Sequence, residues 1–186
     1  MLTSIRTCRW IGVTACVLSF LLLRADPARA EEKFRPESVG VRGGIAANYS
    51  GRDFEQAEIF GNWNLPWSLD LGKEWHLQSR LDLSVGWLGD SRVNAAIVQL
   101  GPSLVLNRER FPLSMEGGVS PTVLSEHAFT AKNFGTLVQF TSHVGVNWDF
   151  SPHWRLSYRF QHMSNAGLDS HNPGLNMHLL GLSYRF

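Results

Sequence analysis

The chain has 186 residues, 44% of them hydrophobic, with 17 Lys and Arg against 16 Asp and Glu and a formal net charge of +1. That near-neutral balance lacks the basic surplus of a nucleic-acid-binding domain. Its two cysteines, Cys8 and Cys16, both lie near the N-terminus.

Residues 1–30 read as a cleaved secretory signal. Arg6 and Arg9 precede an uncharged apolar run from Trp10 to Leu23, and Ala28-Arg29-Ala30 places small residues where a signal peptidase cuts. The run is about 14 residues, short of the roughly 20 that a membrane-spanning helix needs. Cleavage would leave residues 31–186 as one domain, with thirteen basic and fifteen acidic residues and a charge of about −2. Both cysteines would leave with the signal, which excludes disulfides, thiolate metal sites and cysteine nucleophiles. No later segment approaches 18 consecutive apolar residues, so helical spans are not expected.

The remaining chain alternates. From Trp75 to Trp87, Trp75, Leu77, Leu81, Leu83, Val85 and Trp87 share one face, and His76, Gln78, Arg80, Asp82, Ser84 and Gly86 share the other. Period-2 alternation over this length is a strand with one apolar and one polar face. The same pattern runs through Val39–Ala47, Ala57–Leu65 (less cleanly), Ala96–Leu106, Leu113–Val119, Phe140–Trp148, Trp154–Phe160 and Leu180–Phe186. Gly43-Gly44 and Gly117-Gly118 suit strand bends rather than phosphate-binding loops. The total is eight strands of roughly ten residues, the length that a tilted strand needs to cross a bilayer.

Alternation fits both a soluble barrel and a membrane barrel, and the charges decide between them. Arg80, Asp82, Glu116 and Arg159 lie on polar faces with small residues, as in the filled interior of a small transmembrane barrel. Trp and Tyr cap several apolar stripes like an interfacial girdle. The predicted fold is therefore all-β, an eight-stranded antiparallel transmembrane barrel. With both termini periplasmic, the loops near 49–56, 88–94, 125–136 and 165–175 face outward, and tight turns such as Asp149–His153 face the periplasm.

The seventh strand carries an oddity. Its lipid-facing series Trp154, Leu156, Tyr158, Phe160 continues by twos into His162 and Ser164. Residues i and i+2 project from the same strand face. About nine steps of ~3.3 Å from His153, tilted by ~40°, place the pair roughly 23 Å up the barrel wall, near the outer edge of the apolar band. A polar pair there is costly unless it has a role. Neutral imidazole can take a seryl proton while the serine oxygen attacks an ester carbonyl. The bland reading is an interfacial histidine followed by a loop-starting serine.

The stretch His162-Met-Ser-Asn-Ala-Gly-Leu168, followed by Asn172-Pro-Gly-Leu-Asn176, resembles the PagL family of lipid A 3-O-deacylases, eight-stranded outer-membrane barrels with a serine-hydrolase site on the barrel exterior. The resemblance implies that Ser164 is the nucleophile and His162 the general base. It further implies that Asn165, Gly167 and Asn172 lie in the segment shaping the oxyanion hole. Phe140 matches an aromatic beside the family's site, and Asn176 occupies the position of the orienting acid. An amide there can hold the imidazole tautomer but cannot stabilise imidazolium by charge. Asp169 or Glu126 are the carboxylates that could substitute for it.

The resemblance implies removal of the ester-linked 3-hydroxyacyl chain at position 3 of lipid A, with no cofactor and no metal. The expected partners are lipopolysaccharide, the surrounding outer-membrane lipids and at most a second copy in a homodimer, with no nucleic acid. A metal cluster of His162, His171, His178 and Asp169 has irregular spacing. Two other functions compete: a non-catalytic adhesion or membrane-stabilising barrel, which should have longer loops, and a lipid A acyltransferase, which the outward phase of His162 and Ser164 disfavours.

Overall fold

The computed structural model describes residues 34–47 and 54–186. The expected signal segment lies outside them, as does most of the first loop. Eight strands follow in chain order: β1 (Arg35–Ala46), β2 (Glu55–Gly72), β3 (Trp75–Gly89), β4 (Asn94–Arg108), β5 (Leu113–Leu124), β6 (Val138–Asp149), β7 (Trp154–Ser164) and β8 (Leu175–Arg185). Each pairs antiparallel with its neighbour in sequence, and β1 closes on β8, with Val41 opposite Leu182. Closure leaves no unpaired sheet edge, the condition for strands to cross lipid.

The expected stripes face outward. Leu180 is 62% exposed while its neighbour Leu179 is fully buried. Val41, Ile59, Val85, Leu100, Met115 and Val144 continue the outward apolar belt around the barrel. Such a surface would be an aggregation liability in water and is what a hydrocarbon environment requires. Trp75, Trp148, Trp154 and Tyr184 ring the end at which β1 begins and β8 finishes, the terminus end of the barrel. Among the described residues no helix is long and apolar enough to cross a membrane.

The connections lie at the two ends of the barrel. At the terminus end they are tight: Lys73 and Glu74 alone join β2 to β3, both with left-handed φ of 50° and 70°, as a twist-matched two-residue hairpin turn demands. At the opposite, loop end lie L2 (90–93), L3 (125–137) and L4 (165–174).

The interior has two chemistries. Towards the terminus end it is the expected ionic network. Glu116 accepts from Arg80 at 2.6 Å, from Arg159 at 2.7 Å and from Asn147 at 3.1 Å, and Arg80 also reaches Asp82 at 2.7 Å. Arg42 pairs with Glu58 and lies 4.5 Å above the Phe60 ring. These groups are all buried, so each charge depends on its partners.

The loop-end interior departs from the expected polar filling. Leu88, Ile97, Leu124, Met163, Leu175, Met177 and Leu179 form a buried apolar layer there. L3 folds over it and inserts two aromatic rings. Phe129 and Phe134 pack on Phe54 at centroid separations of 5.1 and 5.8 Å, and on each other at 5.6 Å. Burying each phenyl ring contributes about 1.5–3 kcal/mol, which explains how a loop holds one position over the barrel mouth.

Candidate active site

L3 is an ordered arm. Ala128 bridges Asn133, the Phe129 N–H donates to the Lys132 carbonyl at 2.9 Å, and the Phe134 N–H donates to the His127 carbonyl at 2.8 Å. It is tied to L2 through Asp90, which accepts from the N–H groups of Arg92, Val93 and Ala131. Burial pushes the Asp90 carboxyl up, and these N–H donors outweigh it, so the net shift is downward.

At the top of β7 and β8 the barrel's polarity reverses. Met163, Leu175 and Met177 point inward and are buried, while His162 is exposed on the outer wall and Ser164 is half-buried. Antiparallel register sets Asn176 opposite His162 and Phe140 opposite Ser164. The structure thus brings four of the sequence-predicted residues together on one patch of the outer wall.

Asn176 Oδ1 lies 2.7 Å from His162 Nδ1. A carbonyl oxygen can only accept, so Nδ1 carries the proton and Nε2 keeps its lone pair. Among the described residues, neither Nε2 nor the Ser164 hydroxyl makes a hydrogen bond. Both are free for a substrate, and catalytic contacts of this kind often close only when one binds.

L4 is organised by Asn165, which is fully buried. Its Nδ2 donates to the carbonyls of Phe134 at 3.0 Å and His171 at 2.8 Å, and its Oδ1 accepts from the Gly167 N–H at 2.8 Å. The Asn165 backbone N–H donates to Asn172 Oδ1 at 3.1 Å. The Asn165 side chain is therefore committed to folding the loop and is not a free donor. Asn172 is exposed, its Oδ1 is taken by the Asn165 N–H, and its Nδ2 makes no hydrogen bond among the described residues. Ala166 has a left-handed φ of 55°, a local strain of the sort that sites retain, and the following Gly167 takes its φ of 84° without one.

The two alternative carboxylates do not reach His162. Asp169 accepts from the His171 N–H at 2.8 Å, and that bond chiefly holds its carboxyl below the usual range. Glu126 accepts from the N–H groups of His127 and Ala128, the Ala128 bond chiefly lowering its pKa. Among the described residues no group of three His, Cys, Asp or Glu side chains is gathered as metal ligands.

Sequence reasoning missed three neighbours. Gly174 has φ of 61°, and a Cβ there would lie 2.9 Å from His162 Cε1, so only glycine fits against the ring. Lys132 Nζ donates to the Gly174 carbonyl at 2.7 Å. Lower on the wall, the Tyr158 hydroxyl and His178 Nδ1 are 2.7 Å apart, and His178 packs on Phe160 at 5.3 Å. Gly174 sat inside the motif stretch and Tyr158 in the outward phase, so both left a signal; Lys132 left none.

Comparison with known proteins agrees with this architecture. The crystal structure of the outer membrane enzyme PagL superposes with a TM-score of 0.69 at 18% identity, covering 78% of this chain and 97% of that one. Lipid A deacylase PagL of Bordetella bronchiseptica is 38% identical over 78 residues, a stretch spanning 42% of this chain and 43% of that protein. The family model described as lipid A 3-O-deacylase (PagL) matches residues 56–185, from early β2 to the end of β8. This chain therefore belongs to the PagL family of lipid A 3-O-deacylases.

Proposed function

We propose that this protein is an outer-membrane lipid A 3-O-deacylase of the serine type, with Ser164 as nucleophile, His162 as general base and Asn176 as the group that orients the imidazole. The observation that carries the reading is the His162–Asn176 pair beside Ser164 on the outer wall, where the belt below is apolar. A polar cluster at that height is exposed to lipid headgroups and to the ester bonds just beneath them.

The reaction follows from the atoms. His162 Nε2 takes the Ser164 proton as Oγ attacks the ester carbonyl of the 3-linked acyl chain. Charge develops on the carbonyl oxygen; the Gly167 N–H is committed to Asn165 Oδ1, so Asn172 Nδ2 and the Ala166 N–H are the L4 donors left to stabilise it. Collapse breaks the bond from the acyl carbon to the sugar oxygen, and His162 returns the proton to that leaving oxygen. Water then attacks the acyl-serine by the same route, giving a free 3-hydroxy fatty acid and restoring Ser164. Phe140, across the strand pair from Ser164, offers a flat apolar face to the acyl chain. Each barrel contains a full set of these residues, so a homodimer would hold two complete sites.

The loop end then faces the outer leaflet, with the termini in the periplasm. The interior is packed with side chains, ionic towards the terminus end and apolar at the loop end, which favours hydrolysis on the outer wall over transfer from an acyl chain held inside. The test is mass analysis of lipid A incubated with purified protein in detergent, without divalent metal. Wild type should lose one 3-hydroxyacyl chain. Ser164→Ala and His162→Asn should each lower the rate on the order of 10³-fold or more, with the heat-modifiable gel mobility of a folded barrel retained. Unchanged deacylation in either variant overturns the assignment.

A further inference from the structure

The L3 arm touches L4 close to the imidazole. Lys132 is half-buried at the arm's tip, and its ammonium donates to the Gly174 carbonyl at 2.7 Å, bridging 42 residues of sequence. Burial pushes the pKa of this ammonium down, the mark of a cation withdrawn from bulk water. A second bond, from Asn165 to the Phe134 carbonyl, joins the same two loops. On the L4 side, Gly174 sits so close to the ring that a Cβ on it would lie 2.9 Å from His162 Cε1, leaving no room for a side chain. Asn176 holds Nδ1, but a single hydrogen bond leaves the ring some swing about its Cβ–Cγ bond. The Gly174 backbone blocks that swing on its side.

From this geometry we infer that Lys132 is a positioning residue: it fixes the Gly174 backbone as a rest for the His162 imidazole, coupling the L3 arm to the base. The inference rests on the assignment of His162 as base. L3 is in turn anchored by Phe129 and Phe134 in the barrel mouth and by Asp90 of L2, so the rest is built on the rigid part of the molecule. The three elements cooperate because a charge-assisted hydrogen bond is about twice as strong as a neutral one.

The experiment compares wild type, Lys132→Met, Lys132→Arg and Ser164→Ala in the full chain, using lipid A in detergent micelles and two readouts. Lys132→Met keeps the apolar stem and deletes the donor. It should lower kcat about tenfold or more, since small misplacements of a base are costly, at near-constant KM, and Lys132→Arg should recover most of the loss. The Cε1–H resonance of His162 in histidine-labelled protein should shift and broaden in Lys132→Met and return in Lys132→Arg. A change in KM with kcat preserved would mean that Lys132 binds substrate, and overturns the inference. So does an unmoved His162 resonance, whether or not the enzyme is active. Full activity in Ser164→Ala would instead bring down the catalytic assignment, while the resonance still tests the Lys132–Gly174–His162 contact.

Discussion

The two ends of the barrel obey one alternation rule with opposite contents. Towards the terminus end, Arg80, Asp82, Glu116 and Arg159 point inward and the outer wall is mainly aliphatic and aromatic. At the loop end of β7 and β8, Met163, Leu175 and Met177 point inward, and His162, Ser164 and Asn176 point out. Strand geometry allows both arrangements, because side chains change face at every residue whatever their polarity. Lipid tolerates only the first unless the outward polar groups have partners and a use. The inverted end supplies the partner, the cross-strand pairing of Asn176 with His162, over a packed apolar layer on the inner side of the wall.

That contrast predicts separable failures. The largest expected effect on stability is at the ionic end. Glu116→Ala would leave Arg80 and Arg159 buried with too little compensation, and removing one partner of such a cluster costs about 3–5 kcal/mol. The urea midpoint of the folded gel band should fall sharply, while the surviving folded fraction deacylates at the wild-type rate. Loss of activity in the folded fraction would show that the two ends are coupled. A smaller cost, about 3 kcal/mol and mostly local, is expected for Phe134→Ala. It removes one ring of the trio that seats L3, beside the carbonyl that holds Asn165. Here activity should fall with little change in the urea midpoint, because the strands are untouched. The reverse pattern would mean that the plug supports the barrel rather than the site.

How much of this was legible depended on period. The phases of Arg80, Asp82 and Leu180 were readable because neighbours two apart repeat the choice, and strand count and closure followed. The loop-end core was not. In Ala95-Ala96-Ile97-Val98 the polar residues further along β4 gave the phase, with Ala96 and Val98 outward, but the inward Ala95 and Ile97 are apolar where a polar filling was expected. Phe129 and Phe134 sit in a loop, where no period exists. Asn176 could be paired with His162 only through the resemblance, although antiparallel register across L4 enforces the pairing. Lys132 and Gly174 meet through the packing of two loops, which no local pattern encodes.

The smallest predicted effect concerns the amide at Asn176, and its sign is the informative part. An asparagine in place of a triad carboxylate can be ruinous when it offers its N–H₂ to the imidazole, because that fixes the wrong tautomer. Here Oδ1 faces Nδ1 at 2.7 Å, which preserves the useful tautomer and withholds only the charge. Asn176→Ala should therefore lower kcat by about tenfold, roughly the net worth of one hydrogen bond. Asn176→Asp should raise it a few-fold. A carboxylate would stabilise by charge the imidazolium that forms as the serine proton is taken, so the gain should appear in kcat at saturating lipid A. If Asn176→Asp is as slow as Asn176→Ala, orientation by an uncharged acceptor is what this outer wall requires, and charge at that position is a burden that the lipid-facing surface does not tolerate.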